Sequence, residues 1–230
     1  MTCDLEASFA PTPLYRLGRR GGVWAWPDWA YAGDDGTFGN RYDDPQGQYR
    51  VLYGSSQRLG TFLETLARFR PDPAILTEPI TTDPADDLWP TNTPGVVPAD
   101  WLTKRAVGTA TVVGQFADVG HSRSIEHLRS RLAARLIHYG LDDLDGATIR
   151  MTAPRAFTQE VSRLVYECSD AAGDPAYGGI RYLSRLGDDI HNWAIFEPAK
   201  FSDANEHELN ADDPDLREVL TRFSLRLADA

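Results

Sequence analysis

The residues in this chain with the most chemistry to offer begin with a guanidinium in a Gly- and Asp-rich turn, Phe38-Gly-Asn-Arg41-Tyr-Asp-Asp-Pro45. The turn leads into the apolar run Val51-Leu-Tyr53, and Glu64 follows on the next element. A cation and a carboxylate on adjacent elements suit a site that grips a phosphorylated sugar and steadies positive charge on its ring. Far along the chain, Gly178-Gly-Ile-Arg-Tyr-Leu-Ser184-Arg-Leu-Gly187 runs into Asn192-Trp-Ala-Ile-Phe196.

Each of these residues has two readings. Gly39 and Asn40 tolerate unusual backbone angles, so Arg41 could approach a ligand and bind a phosphate or carboxylate in bidentate fashion. Alternatively it pairs locally with Asp43 or Asp44. Glu64 lies opposite the stripe Leu59, Phe62, Leu63, Leu66 and Phe69 at ~100° per residue. That position suits a solvated glutamate, and equally a carboxylate lining a cleft. Tyr53 is either a core aromatic or a ring stacked on a planar ligand. Ser184 lacks both a Gly-x-Ser-x-Gly elbow and a patterned His and Asp, which favours a hydrogen-bonding role over a nucleophilic one.

The elements that must position these groups follow from pattern and punctuation. Strands are expected at Val23–Trp26, Tyr49–Tyr53, Ala106–Phe116, Ala147–Met151, Gly178–Leu183 and Trp193–Phe196. Ser55 or Ser56 would cap a helix reaching Phe69, and Ser122 or Ser124 one reaching Tyr139, with Gly140 ending it in the left-handed region. Thr152 would cap a helix that turns Phe157, Val161, Leu164, Val165 and Cys168 inward. Asp213-Pro214 would open a last helix over about 214–228. Between Glu78 and Asp100 stand Pro79, Pro84, Pro90, Pro94 and Pro98, which exclude a regular helix there; Trp89 and Trp101 would pin parts of this stretch to the body. Strands and helices mix without regular alternation, so the class expected is α+β, a bent mixed sheet core with helices around it. No Rossmann or Walker A motif and no repeat is present.

Composition bounds the partners. The chain has 230 residues, 42% of them hydrophobic, with a net charge of −11. That is enough apolar content for one domain over residues 1–230. The acidic balance argues against nucleic acid as a partner. No apolar run reaches the ~18 residues of a membrane span. The acidic Met1-Thr-Cys-Asp-Leu-Glu start lacks a signal-peptide core, pointing to the cytoplasm. Cys3 and Cys168 are read as unpaired, and no His/Cys spacing suggests a metal.

Taken together, the segments resemble the RES-domain family, the toxin half of RES–Xre toxin–antitoxin pairs. The matching blocks are Tyr15-Arg16, Phe38 to Pro45, Val51-Leu-Tyr53, Phe62-Leu-Glu64, and Gly179 to Ser184 before Asn192 to Phe196. They span roughly residues 14–198. The turn departs from the family's Phe-Gly-Gly-Arg-Trp-Asn-Pro-like form at Asn40, Tyr42 and Asp43. The resemblance implies an ADP-ribosyltransferase-like fold and NAD⁺ as substrate, with no metal. It also implies cleavage of the nicotinamide–ribose bond by hydrolysis or phosphorolysis, and a cognate Xre-type antitoxin. The alternatives are mono-ADP-ribosylation of a cellular protein, or an inactive RES-like binding protein. By the same resemblance Glu64 would stabilise the cationic sugar, and Arg41 with Arg16 would hold the pyrophosphate. Tyr53 would border the nicotinamide ribose, and Ser184 would bond the nicotinamide end or fix Glu64.

Overall fold

The computed structural model describes residues 1–71, 94–151 and 153–228. Among these residues ten strands are formed: β1 (Ala7–Ser8), β2 (Leu14–Arg19), β3 (Val51–Ser55), β4 (Val96–Val97), β5 (Arg105–Val112), β6 (Phe116–Asp118), β7 (Gly179–Leu183), β8 (His191–Phe196), β9 (Phe201–Glu208) and β10 (Arg226–Leu227). Six helices accompany them: α1 (Arg58–Leu66), α2 (Ser122–Arg131), α3 (Ala133–His138), α4 (Gly146–Arg150), α5 (Arg155–Tyr166) and α6 (Pro214–Arg222). Eight strands make one curled sheet in the order β1-β6-β7-β8-β3-β2-β5-β9, and β4 pairs with β10 separately. Within the large sheet only β6 and β7 run parallel. The class is α+β, as expected.

The sheet is nearly divided in the middle. β3 pairs along its whole length with β8, and β2 along its whole length with β5. Between β2 and β3 only Tyr15 and Ser55 pair. Helices cover the two halves separately. Leu128, Leu136, Phe157, Val161 and Val165 of α2, α3 and α5, with Leu132 between α2 and α3, pack on Val51, Ile180, Ala194 and Phe196. Phe62, Leu63 and Leu66 of α1 pack with Leu216 and Val219 of α6 over Leu17 and Val107. The five inward residues expected on α5 and after it are all buried.

The punctuation at Gly140 and Asp213 works as expected. Gly140 has φ 66°, and the Leu141 N–H reaches back to the Leu136 carbonyl at 2.9 Å. The Asp213 carboxylate accepts from the Asp215 and Leu216 N–H groups.

Other expectations are corrected. Val23–Trp26 is not a strand. The Ala25 N–H closes a turn on the Gly22 carbonyl, the Val23 carbonyl accepts from Arg16 Nε at 2.8 Å, and the Val23 N–H goes to Glu206. Side chains thus take the backbone groups a neighbouring strand would need. Of Ala147–Met151, residues 147–150 are helical instead, because the Asp145 side chain accepts from the Thr148 N–H at 2.7 Å and caps α4. The expected strand Ala106–Phe116 is two strands, β5 and β6. The long helix to Tyr139 breaks at Leu132, whose backbone (φ −105°, ψ 12°) leaves the helical region. His121 caps α2; Ser124 turns inward, where its hydroxyl accepts from the Glu6 N–H.

At the first helix the cap is Gln57, and a 3-10 turn follows from Ala67 to Phe69. The last helix stops at Arg222. The chain reverses at Ser224 (φ 52°) and Leu227 ends in β10, so there is no helix to residue 228. β9 has no counterpart among the expected strands, nor have β1, β2, β4 and β10. Thr152 and Trp89 lie outside the described residues, as does 78–93 of the Pro-rich stretch, whereas Trp101 is buried.

Cys3 and Cys168 are joined in a disulfide, which corrects their reading as unpaired. Their separation of 165 residues carries no pairing signal. They meet because the N-terminal segment runs to the end of α5, where the Ser169 N–H donates to the Met1 carbonyl at 2.7 Å. Reducing this bond is expected to lower the stability of the oxidised protein by about 2–4 kcal/mol. The check is the shift in denaturation midpoint with and without dithiothreitol.

Candidate active site

A cleft of about 680 Å³ opens where β2 and β3 part, a size suited to a small-molecule ligand. Period-two alternation explains its polar floor. Tyr182 and Ser184 continue the face on which Ile180 is core, Asn192 continues that of Ala194 and Phe196, and Tyr53 and Ser55 that of Val51. Three strands are thus apolar under the helices and polar where the helices end.

All five residues expected at a site come together here. Arg16, Arg41, Tyr53 and Glu64 line the cleft, and Ser184 reaches it through Glu64. Glu64 sits on the face of α1 turned away from the apolar stripe and is exposed, while Phe62, Leu63 and Leu66 are buried. Ser184 Oγ and Asn192 Nδ2 both donate to Glu64 Oε1, each at 2.6 Å. Ser184 Oγ also accepts from the Leu186 N–H at 2.9 Å, so its hydroxyl is fully engaged as a bonding group. Gly60, one turn before Glu64, allows α1 to approach. A Cβ there would stand 2.4 Å from Ser55 Oγ.

Arg41 pairs with neither Asp43 nor Asp44. Its guanidinium donates to the Ile149 carbonyl at the end of α4, one of the carbonyls a helix leaves unbonded. It also lies 5.2 Å and 5.5 Å from the ring centroids of Tyr42 and Tyr182. The nearby acids serve the turn instead. Asp43 Oδ2 accepts from the Asn40 N–H and side-chain amide, both at 2.7 Å, and Asp43 Oδ1 accepts from the Tyr53 hydroxyl at 2.8 Å. Two of the three departures from the family's turn, Asn40 and Asp43, therefore bond to each other. Burial raises the Asp43 carboxyl above the ordinary aspartate value, opposed by the Asn40 and Tyr53 hydrogen bonds and by Arg155.

Tyr53 is half-buried at the cleft edge. Its ring borders the cleft, but its hydroxyl is committed, accepting from the Tyr42 N–H at 3.0 Å while donating to Asp43. Burial, then the Asp43 charge, keeps this phenol well above the usual tyrosine value. Gly39, at φ 71°, sets the turn in a conformation that disfavours other residues.

Arg16 spans the gap in the sheet. Besides bonding Val23, it donates from Nη1 to the Tyr53 carbonyl at 2.6 Å, replacing ladder bonds that β2 no longer supplies. Burial, and then the Arg105 charge, lower its pKa to about 10, which leaves it cationic at neutral pH.

Several lining residues escaped the sequence reading. Arg155 opens α5, lines the cleft, and donates to the Gly39 carbonyl at 2.9 Å. Arg68 and Arg185 stand at the cleft as well. Tyr182 lies between the opposed charges. Burial first, then Glu64, raises its phenol well above the usual value, and Arg41 counters this. Asn192 carried a readable signal, since it occupies the inward phase of the Asn192-Trp-Ala-Ile-Phe196 alternation. The arginines carried none, because only the tertiary fold gathers them. Among the described residues five arginines and one carboxylate line the cleft, in a chain whose net charge is −11. Such a cavity suits a ligand bearing phosphates beside a centre that becomes positive.

The RES domain profile matches residues 13–217. The chain belongs to the RES-domain family. Among solved structures, a chain of the M. tuberculosis MbcT–MbcA toxin–antitoxin complex is similar at 10% identity, covering 90% of this chain and 87% of that one with a TM-score of 0.47. Comparison with the curated proteins finds no match. Among the described residues of this RES domain, no helix is long and apolar enough to cross a membrane, and no group of three or more His, Cys, Asp or Glu could hold a metal ion.

Tyr53→Phe is expected to leave Asp43 Oδ1 and the Tyr42 N–H unpartnered. A loss of about 1–3 kcal/mol in stability should follow, measured by urea denaturation. A Tyr53→Phe protein as stable as wild type would show that the Asp43 bond does not hold the turn.

Proposed function

We propose that this RES-family chain is a toxin that degrades NAD⁺ by breaking the bond between nicotinamide and ribose. One observation carries the reading. Glu64, with Oε1 fixed by two donors, is the one carboxylate among the described residues that line the cleft, which include five arginines. As the C–N bond breaks, positive charge develops on the sugar, and a carboxylate held beside it stabilises that state more than the ground state. Neutral nicotinamide departs without a strong acid to protonate it. Arg41, with Arg16 behind it, would hold the pyrophosphate, and Tyr53 and Tyr182 would border the nicotinamide ribose. Ser184 acts on Glu64 rather than on substrate.

The remaining features of the proposal follow from the family. Residues 1–230 act as one RES-type unit, with the blocks that resemble the family's across 14–198 and an ADP-ribosyltransferase-like fold. The protein works in the cytoplasm, where its substrate is, and a cognate Xre-type antitoxin silences it. Neither cysteine lines the cleft, so the proposed reaction does not depend on whether they are joined.

Purified protein is expected to release nicotinamide from NAD⁺. Release that requires added phosphate identifies phosphorolysis, and release without phosphate identifies hydrolysis. Transfer of label only when lysate is present would instead mean ADP-ribosylation. Glu64→Ala should slow turnover by about 100- to 1,000-fold. Both Glu64→Ala and Arg41→Ala should relieve growth arrest while remaining folded at the assay temperature. The absence of turnover in any of these arms, with Glu64→Ala indistinguishable from wild type, would leave a RES-like binding protein.

A further inference from the structure

Glu64 Oε1 is engaged twice, and its second oxygen has no hydrogen-bond partner among the described residues. One donor, Ser184, belongs to the blocks that mark the family. The other, Asn192, is different in character. It sits inside β8, 2% exposed, with its backbone between Ser55 of β3 and Tyr182 of β7. Its Oδ1 is buried without a hydrogen-bond partner among the described residues. Burying a carbonyl oxygen unpaired is unfavourable. Turning the amide over would be worse, since it would aim Oδ1 at the Glu64 carboxylate. The carboxylate therefore dictates which way the amide points. A hydrophobic residue at this inward strand position would otherwise continue the core of Ala194 and Phe196.

We infer that Asn192 is a positioning residue for Glu64: with Ser184 it pins Oε1, so that Oε2 alone is presented to the ribose. This rests on the reading of Glu64 as the group that stabilises the cationic sugar. Two donors from two strands, β8 and the end of β7, fix the oxygen in direction as well as distance. A long side chain on an exposed helix face would otherwise sample several rotamers. Catalysis that depends on one oxygen at a set place is sensitive to a displacement of about 1 Å, which can cost on the order of 100-fold.

The test is a double-mutant cycle on nicotinamide release from NAD⁺, using wild type, Asn192→Ala, Glu64→Ala and the double variant. Asn192→Ala should lower kcat by about 10- to 100-fold with KM within about twofold. On the Glu64→Ala background the same change should cost nothing further, because its effect passes through the carboxylate. A loss that multiplies onto Glu64→Ala, as a structural defect would, overturns the inference, as does an Asn192→Ala protein with wild-type kcat.

A second measurement needs neither turnover nor an Asn192 variant. The side-chain amide protons of Asn192, followed by ¹⁵N NMR, should exchange slowly in wild type and faster in Glu64→Ala. Equal exchange in both proteins overturns the inference even if Asn192→Ala fails to fold. Wild-type protein that releases no nicotinamide but shows this protection retains the contact and removes only the NAD⁺ reading.

Discussion

The parting of β2 from β3 is the constraint on which the molecule turns. A sheet that separates inside a domain leaves carbonyls and N–H groups without ladder partners, and buried backbone groups must be satisfied. Here the Arg16 guanidinium enters the gap and bonds the Tyr53 carbonyl on one side and the Val23 carbonyl on the other. Covalently it belongs to β2, and through hydrogen bonds it also belongs to β3. The gap it spans becomes the cleft, and its positive charge, retained despite burial, is part of the cleft's field. One side chain thus closes the backbone and helps define the site's electrostatics.

The turn carrying Arg41 has little regular structure of its own and borrows rigidity from α5. Arg155 and Gln159 donate to the carbonyls of Gly39 and Asn40, Ser162 donates to that of Tyr42, and Arg163 lies 3.6 Å from Asp44. These four residues recur at the spacing of one helix face. From the other side, Tyr53 and Asp43 lock the turn to β3. Arg41 is therefore held between a helix and a strand, and its side chain needs no acidic partner to be placed.

What could be read from the residues alone was whatever depends on near neighbours. The apolar stripe of α1, the Gly140 stop and the Asp213 cap all express local chemistry. So does the exposed phase of Glu64, although only the tertiary fold shows that the solvent it faces is a cleft. Most of the misreadings arose where distant groups intervene; that of Ala147–Met151 is local. Val23–Trp26 has strand-like residues, but Arg16 and Glu206 claim its backbone. Ala147–Met151 contains β-formers, yet the Asp145 cap outweighs them. β9 has no apolar alternation, and it exists because β5 offers an unpaired edge. The Cys3–Cys168 bond and the gathering of Arg68, Arg155 and Arg185 depend on the path of the whole chain.

That last long strand bears on how the molecule behaves among its copies. Among the described residues β9 pairs with β5 on one side only and closes the sheet order, leaving the other side of an eight-residue strand as an edge. Such an edge is a template for another chain's strand. Seven of its eight residues are exposed, and Asp203, Glu206 and Glu208 are among them. Glu206 and Glu208 fold back to bind Gly21 and Arg20 rather than lying flat along the strand. Asp203, at φ 52°, interrupts the extended backbone near the start. A second copy approaching this edge would meet like charge and a bent strand, which guards a concentrated protein against edge-to-edge aggregation.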